Sequence, residues 1–175
     1  VIAELTTTDP DADDRFRYQL TSGPGSDDNS VFRVSGNKLR LKKTIRDKQD
    51  VYNVRLRAVD KYGESVEKSF ELSLRYSPEQ ILLSSLSFDE NIVENSEIAT
   101  LSSLDGNIGD EHSYQLVVGK GDTDNQSFSI SENSLLINNL PDYEIQDSYS
   151  IRLRSTDQTG LSLEQSFVLT VNDLE

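Results

Sequence analysis

The sequence contains no cysteine, no methionine and no tryptophan, and its 175 residues include a single histidine, His112. Without cysteine the chain cannot form a disulfide framework, a cysteine-ligated metal site or a thiol catalyst. One imidazole is little material for general acid–base catalysis. The composition therefore disfavours enzymes that depend on thiol or imidazole chemistry.

Basic side chains and long apolar runs are also scarce. Lys plus Arg total 17 against 31 Asp plus Glu, so the formal charge is −14. Such a chain repels nucleic-acid phosphates and does not favour anionic membranes, whereas it suits cations. Because of this charge, we predict no nucleic-acid partner. No apolar run is long enough to cross a bilayer, so we also predict no membrane insertion. The chain opens without an initiator methionine or a signal segment, and we expect it to be part of a longer protein.

Both charge and sequence divide the chain into two halves. Residues 1–77 carry a net charge of +1, and residues 78–175 carry a net charge of −15. Shifted by 96 or 97 positions, the first half matches the second, as Tyr18–Leu20 matches Tyr114–Leu116 and Arg55–Arg57 matches Arg152–Arg154. A repeat of this length indicates duplicated units that each fold alone. We therefore predict domains at 1–77 and 78–175, the first lacking the stretch equivalent to 81–96.

Both halves have the alternating pattern of β-strands. Tyr149, Ile151 and Leu153, for example, alternate with polar residues, which is typical of half-buried strands. Seven strands, A to G, are predicted in the second half near 81–88, 97–104, 113–118, 127–131, 135–139, 148–156 and 164–172. Seven short strands in about 97 residues, with turn signals between them, predict an all-β fold of two sandwiches.

The order of the strands collects acidic loops at the two ends of each sandwich. If consecutive strands run antiparallel, Asp105, Asn107, Asp110 and Asp157 meet at one end of the second unit, and Glu90, Asp142, Glu144 and Asp173 meet at the other. Two carboxylates about 4 Å apart repel by roughly 4 kcal/mol at an effective dielectric constant near 20. Such a cluster is splayed into water or filled by a cation, and oxygen-rich clusters suit Ca²⁺, which takes about 6–8 ligands.

Short motifs in these loops carry a family resemblance. The second unit has Glu90-Asn91, Asp105-Gly-Asn107, Asp142-Tyr-Glu144, Ser155-Thr-Asp157-Gln-Thr-Gly160 and Val171-Asn-Asp173, and the first has Asp9-Pro-Asp11 and Ala58-Val-Asp60-Lys-Tyr-Gly63. In order and spacing the chain resembles tandem cadherin repeats, most closely those of large bacterial surface adhesins. The resemblance implies seven-stranded Greek-key, immunoglobulin-like sandwiches, Ca²⁺ between repeats, neighbouring repeats as partners and an extracellular, cell-surface role in adhesion.

The resemblance also implies three sets of metal ligands. The set at the internal junction is Asp47, Glu79, Asp105, Asn107 and Asp157. The N-terminal half-site is Asp9, Asp11 and Asp60, and the C-terminal half-site is Glu90, Asp142, Glu144 and Asp173. The junction set is depleted, because Ile45-Arg-Asp47 replaces the family's Asp-x-Glu and the linker 75–80 lacks its Asp and Asn. We expect no more than two ions at the internal junction.

Simpler interpretations stand beside calcium binding. Asp and Asn are common in turns because they bend and cap the backbone. The acidic loops at 23–29 and 119–125 are interpreted as solvated turns, with a separate Ca²⁺ site as the alternative. His112 is expected to be a partly buried edge residue and not a ligand.

A basic face distinguishes the first unit from the second. Arg33, Lys38, Arg40 and Lys42 alternate with apolar residues on two predicted strands. Such a row serves either as a solvated face that discourages edge pairing or as a patch for an acidic glycan or another surface protein. The alternative function is therefore a carbohydrate-binding module for acidic polysaccharide. No enzymatic activity is expected, because a hydrolase built on paired carboxylates needs them in a cleft, and these acids lie at sandwich ends.

Overall fold

The computed structural model describes residues 1–10, 15–42, 45 and 48–174. The chain divides into two compact units, Val1–Leu74 and Arg75–Glu175. This division falls three residues before the boundary drawn from the sequence. In the described ranges there is no helix with the length and apolar character needed to cross a membrane.

Unit one consists of two three-stranded sheets. Its strands are β1 (Ala3–Glu4), β2 (Arg17–Leu20), β3 (Phe32–Ser35), β4 (Lys38–Leu41), β5 (Val51–Val59) and β6 (Ser65–Ser73). One sheet has the order β1-β4-β3 and the other β2-β5-β6, with antiparallel neighbours throughout. The alternating apolar side chains of both sheets meet in a core of Phe32, Leu39, Tyr52, Val54 and Leu56.

Unit two consists of two four-stranded sheets. Its strands are β7 (Gln80–Leu83), β8 (Ser87–Asp89), β9 (Glu97–Leu104), β10 (His112–Leu116), β11 (Phe128–Ser131), β12 (Ser134–Ile137), β13 (Ser148–Asp157) and β14 (Ser162–Asn172). The sheet orders are β11-β12-β9-β7 and β10-β13-β14-β8. All pairings are antiparallel except that of β8 with β14, which is parallel. The prediction of an all-β sandwich is confirmed.

The duplication seen in the sequence extends to strand register. Val54 lies opposite Phe70 in unit one, and Ile151 lies opposite Phe167 in unit two. Each residue of the second pair stands 97 positions after its counterpart in the first pair. The loop after β2 recurs after β10 as well: a Cβ on Gly23 would lie 3.1 Å from Arg55 Nε, and a Cβ on Gly119 would lie 2.8 Å from Arg152 Nε. Gly119 also has a φ of 154°, which side-chain-bearing residues rarely adopt.

The structure corrects the prediction for the first strand of unit two. A single strand A was predicted near 81–88, whereas the structure has two short strands, β7 and β8, in opposite sheets. Ser85 interrupts the run, because its Oγ donates to the Ser87 carbonyl at 2.7 Å and accepts from the Ser87 N–H at 3.1 Å. This local hydrogen-bonded turn lets the chain cross from one sheet to the other.

An aromatic group closes the core of unit two at the β8 side. Phe128 and Tyr149 meet edge to face with ring centroids 5.4 Å apart, and Phe88 of β8 packs against both. Edge-to-face pairs are favourable because the positive ring edge meets the negative face. β8 therefore anchors its sheet edge through a buried side chain as well as through backbone pairing.

Candidate metal centres

Three aspartates meet at one end of unit two. Asp105 and Asp110 lie in the loop between β9 and β10, and Asp157 is the last residue of β13. Each offers a carboxylate oxygen within 4.8 Å of the others. The pairing of β10 with β13 brings them together, because it sets His112 opposite Asp157. We call Asp105, Asp110 and Asp157 the Asp157 cluster.

Asp157 is the most buried member of this cluster, with 5% of its surface exposed. Its Oδ1 accepts hydrogen bonds from the Thr159 N–H at 2.7 Å, the Thr159 hydroxyl at 2.8 Å and the Leu161 N–H at 3.0 Å. Burial opposes ionisation, but these hydrogen bonds outweigh it and lower the pKa of Asp157 below its usual value. The carboxylate is thus held charged and fixed, while its buried Oδ2 has no hydrogen-bond partner.

Asp110 resembles Asp157 in that only one of its two carboxylate oxygens accepts a hydrogen bond. Its Oδ1 accepts a hydrogen bond from Gln158 Nε2 at 2.8 Å, and its buried Oδ2 has no hydrogen-bond partner. Buried polar atoms without partners are rare in folded proteins and call for a specific explanation. Asp157 and Asp110 each present one such oxygen in the same cluster.

Asp105 differs because both of its oxygens are engaged. Oδ1 accepts from the Asn107 N–H at 2.9 Å, and Oδ2 lies 3.2 Å from His112 Nε2. His112 was expected at the edge and outside the ligand set, and the structure places its largely buried side chain directly on a cluster member. No spacing rule predicts this contact, because it depends on how β10 is rotated against the loop.

The other residues predicted for the internal junction lie in different environments. Asn107 is buried, and its Oδ1 accepts a hydrogen bond from the Tyr76 N–H at 2.8 Å. Glu79 is exposed, its N–H donates to the Leu104 carbonyl at 2.7 Å, and it does not belong to the Asp157 cluster. Asp47 lies outside the described residues. Asp110, which strand order placed at this end but which was left out of the ligand set, is in the cluster.

A second acidic group lies where β8 ends. Glu90, Asp142 and Glu144 have carboxylate oxygens within 4.8 Å of one another, and we call them the Glu90 cluster. Glu90 is only 5% exposed. Its Oε1 accepts from the Leu174 N–H at 2.7 Å, and its Oε2 accepts from the Tyr143 N–H at 3.1 Å. These two backbone hydrogen bonds lower the pKa of Glu90.

The two clusters differ in how well they suit a cation. In the Asp157 cluster, two buried oxygens lack donors, and an ion supplies what they lack because Ca²⁺ binds carboxylate oxygens directly. In the Glu90 cluster, the most buried carboxylate already has a donor on each oxygen. Asp173, predicted for the same half-site, is exposed and is not a member of the group of three. The chemistry of the Asp157 cluster therefore fits a divalent cation better.

Unit one has an aspartate equivalent to Asp157. Asp60 is buried, and its Oδ1 accepts hydrogen bonds from the Tyr62 and Glu64 N–H groups, both at 2.8 Å. Asp9 and Asp60 line the same surface depression, of about 270 Å³. Asp11, the remaining residue of the predicted N-terminal half-site, lies outside the described residues.

The basic face lies on β3 and β4. Arg33 and Arg40 are directly opposed across these strands, and like charges in that position destabilise a strand pair. Lys38 forms an ion pair with Glu4, with Nζ and Oε1 separated by 3.5 Å. Lys42 is exposed and follows β4. The face therefore has one neutralised cation and two arginines that, within the described part of the chain, have no acidic partner.

Comparison with known proteins shows the fold. No protein-family model matches the sequence, and no curated protein matches it. The human protocadherin-24 EC1-2 structure is 18% identical, with a TM-score of 0.50, and the match covers 99% of this chain and 88% of that one. The protocadherin GammaB4 extracellular domain is 22% identical with a TM-score of 0.49, over 91% of this chain and 28% of that one. Drosophila N-cadherin EC1-3 is 21% identical with a TM-score of 0.45, over 95% and 58% respectively.

These similarities are limited to architecture. At 18% identity, the match to protocadherin-24 shows a cadherin-like sandwich fold and nothing about ligands. The chain spans about a third of the length of the first solved structures it matches, at 28% and 41%. The resemblance to bacterial surface adhesins, in particular, stays a prediction.

Proposed function

We propose that this chain is a calcium-binding, non-enzymatic adhesion and spacer module of an extracellular, cell-surface adhesin. The observation that carries the proposal is the pair of buried, donor-free oxygens, Asp110 Oδ2 and Asp157 Oδ2, in one cluster. Carboxylates in this arrangement repel each other until a cation joins them. The cadherin-like fold supports the same conclusion, as does the acid excess of the second half.

In this proposal, Asp105, Asp110 and Asp157 hold one Ca²⁺, and Glu90, Asp142 and Glu144 hold a weaker one. The bound ion neutralises the carboxylates and ties the β9–β10 loop to the end of β13, which removes conformational freedom from that end of the unit. The wider ligand sets drawn from the sequence, including Glu79, Asn107 and Asp173, are part of the same proposal.

Calorimetric titration of the full chain with CaCl₂ tests calcium binding. Dissociation constants typical of extracellular modules are about 10⁻⁴ to 10⁻³ M. Asp157→Asn should remove the tighter binding event, and Glu144→Gln should weaken the other. Glu94→Gln is the matched control, because Glu94 is exposed and belongs to neither cluster.

An absence of saturable heat at millimolar Ca²⁺ rejects calcium binding. Equal heats for Asp157→Asn and the wild type reject the assignment of the ion to the Asp157 cluster. MgCl₂ serves as a second titrant, because Mg²⁺ demands near-octahedral geometry and gives up its waters reluctantly. Beads that carry the full chain address the adhesive role. Aggregation in Ca²⁺ that chelator reverses supports adhesion, whereas dispersed beads in both conditions favour a spacer alone.

The opposed pair of Arg33 and Arg40 supports a second candidate function, the binding of acidic polysaccharide. Retention on a heparin column should fall when both arginines are replaced by glutamine, because phosphate, sulfate and carboxylate groups pair well with guanidinium. Lys120→Gln, an exposed charge removal in unit two, is the control. Equal retention of all three proteins rejects this function.

A further inference from the structure

Three hydroxyl groups meet inside unit two. Ser103 Oγ lies 2.7 Å from Ser155 Oγ and 3.1 Å from the Tyr114 hydroxyl oxygen, within hydrogen-bonding reach of both. Ser155 is fully buried, and Tyr114 is 8% exposed. Burying a hydroxyl is costly unless it is hydrogen-bonded, and each of these three has a partner. We call Ser103, Tyr114 and Ser155 the hydroxyl trio.

Each member of the hydroxyl trio stands two positions from a residue at the Asp157 cluster. The residues two positions away are Asp105, His112 and Asp157. Alternate residues of a strand point to the same face and lie about 7 Å apart. The strand register agrees, because Tyr114 lies opposite Ser155 and His112 lies opposite Asp157. The trio is therefore the next interior layer beneath the cluster.

The Asp157 cluster takes its carboxylates from both sheets of unit two. Asp105 follows directly after β9 in one sheet, whereas Asp157 ends β13 in the other. In the described residues these two strands share no backbone pairing, so the hydrogen bonds between Ser103 and its two partners tie the sheets together. Hydroxyl pairs prefer an oxygen separation of about 2.7 to 2.8 Å, whereas apolar contacts extend to about 4.5 Å. The trio therefore sets the spacing of the sheets more narrowly than apolar packing does.

Unit one has only two of the three hydroxyls. Its counterparts of the trio, at offsets of 96 and 97, are Thr7, Tyr18 and Ala58. Ala58 is 7% exposed, so unit one buries a methyl group where unit two buries the hydroxyl of Ser155. The sandwich itself does not require this hydroxyl, and its presence beneath the Asp157 cluster needs another explanation.

We propose that the hydroxyl trio positions the Asp157 cluster for its cation by fixing the distance between β9 and β13. This inference rests on the proposed function, because it concerns the ion assigned to that cluster. Ca²⁺ binds its oxygens at about 2.3 to 2.6 Å, so carboxylates from opposite sheets reach one ion only at a matching sheet separation. When the trio is broken, fewer molecules have that geometry, and the apparent dissociation constant rises in proportion.

Calorimetric titration of the full chain with CaCl₂ tests the proposal in Ser103→Thr and Ser103→Val. Threonine and valine have nearly the same shape, and only threonine keeps the hydroxyl. Ser103→Thr should keep the wild-type dissociation constant of the tighter ion. Ser103→Val should raise it about three- to tenfold, as expected when the competent fraction falls to about a third to a tenth. The weaker binding event, assigned to the Glu90 cluster, should be the same in both variants.

A second variant and a control separate positioning from loss of stability. Ser155→Ala introduces the residue that unit one has at this position, and it should raise the dissociation constant by a similar factor. Combining it with Ser103→Val should add little, because both changes break one network. Ile137→Val is the control, because Ile137 is fully buried and belongs to neither the trio nor the Asp157 cluster. Urea unfolding in chelator measures the stability of each variant.

An unchanged affinity for Ile137→Val, with losses for Ser103→Val and Ser155→Ala, supports the proposal. Equal dissociation constants for Ser103→Thr and Ser103→Val would overturn it while calcium binding stands, and so would an equal loss for Ile137→Val. If Ser103→Val unfolds, Ser155→Ala decides the question, and wild-type affinity in that variant overturns the proposal. A wild type without saturable heat would reject the proposed function and this inference together.

Discussion

Replacing Asp110 with asparagine should stabilise the protein in chelator, and this advantage should shrink or reverse in calcium. The change keeps the shape of the side chain and removes one charge from the Asp157 cluster. Carboxylate oxygens in this cluster lie within 4.8 Å of one another, and two unit charges at that distance repel by roughly 3.5 kcal/mol at an effective dielectric constant of 20. At the dielectric constant of water the repulsion is about 0.9 kcal/mol.

In chelator, the variant should therefore be more stable than the wild type by about 1 to 3 kcal/mol. In 10 mM Ca²⁺, an ion with a dissociation constant of 10⁻⁴ to 10⁻³ M adds about 1.4 to 2.7 kcal/mol to the wild type. The variant should gain little from calcium, because it has lost one of the donor-free oxygens. The difference between the two proteins should thus shrink or reverse when calcium is added.

Urea unfolding followed by far-ultraviolet circular dichroism, in chelator and in 10 mM Ca²⁺, measures both effects, and tyrosine fluorescence provides a second probe because the chain has no tryptophan. Glu94→Gln should shift neither curve. The reasoning is refuted if Asp110→Asn is less stable than the wild type in chelator, or if it gains as much from calcium as the wild type does. The first result would mean that repulsion between the carboxylates of the cluster does not destabilise the protein. The second would mean that the ion binds elsewhere.

Three further substitutions follow from the structure. The two arginines beside Glu164 lower its pKa, so its stabilising effect is full above the unfolded pKa of about 4.3 and is lost as pH falls through the folded value; Glu164→Gln should flatten the acid limb of a plot of unfolding free energy against pH. Glu132 has a φ of 54° where its duplicate is Gly36, so Glu132→Gly should raise the free energy of unfolding in urea by up to about 1 kcal/mol. A lower free energy of unfolding would contradict the strain argument. Asn125 Oδ1 accepts from the Arg152 N–H at 2.9 Å and its Nδ2 donates to a backbone carbonyl, so Asn125→Ala should cost about 1 to 3 kcal/mol in the same assay, and a neutral result would show that water replaces both contacts.

A contact of the kind that lowers the pKa of Glu164, between an arginine and a glutamate on neighbouring strands, is also present in unit one. Arg154 and Arg152 both hydrogen-bond its carboxylate, with Arg154 contributing most to the lowered pKa. The duplicate pair, Arg55 and Glu67, is 3.1 Å apart in unit one. Cross-strand pairs of this kind follow from register, and register follows from matching the apolar faces of β5 with β6 and of β13 with β14.

Alternation and duplication were sufficient to predict the sandwich class and most strands of unit two. They could not predict that strand A divides into β7 and β8. The break depends on hydrogen bonds that Ser85 makes with Ser87. A pattern of period two cannot distinguish one long strand from two short strands that lie in opposite sheets.

Strand order likewise predicted which loops share an end, and the structure does bring Asp105, Asp110 and Asp157 together. Only the tertiary structure decided the state of each oxygen: Asp105 Oδ2 lies beside His112, whereas Asp110 Oδ2 and Asp157 Oδ2 are buried without donors. The sequence alone determines which residue types arrive at a place, because periodicity and connectivity are properties of the chain. Whether an oxygen has a partner depends on tenths of an ångström and on side-chain rotation between segments distant in sequence, and that is determined only when the sheets have packed.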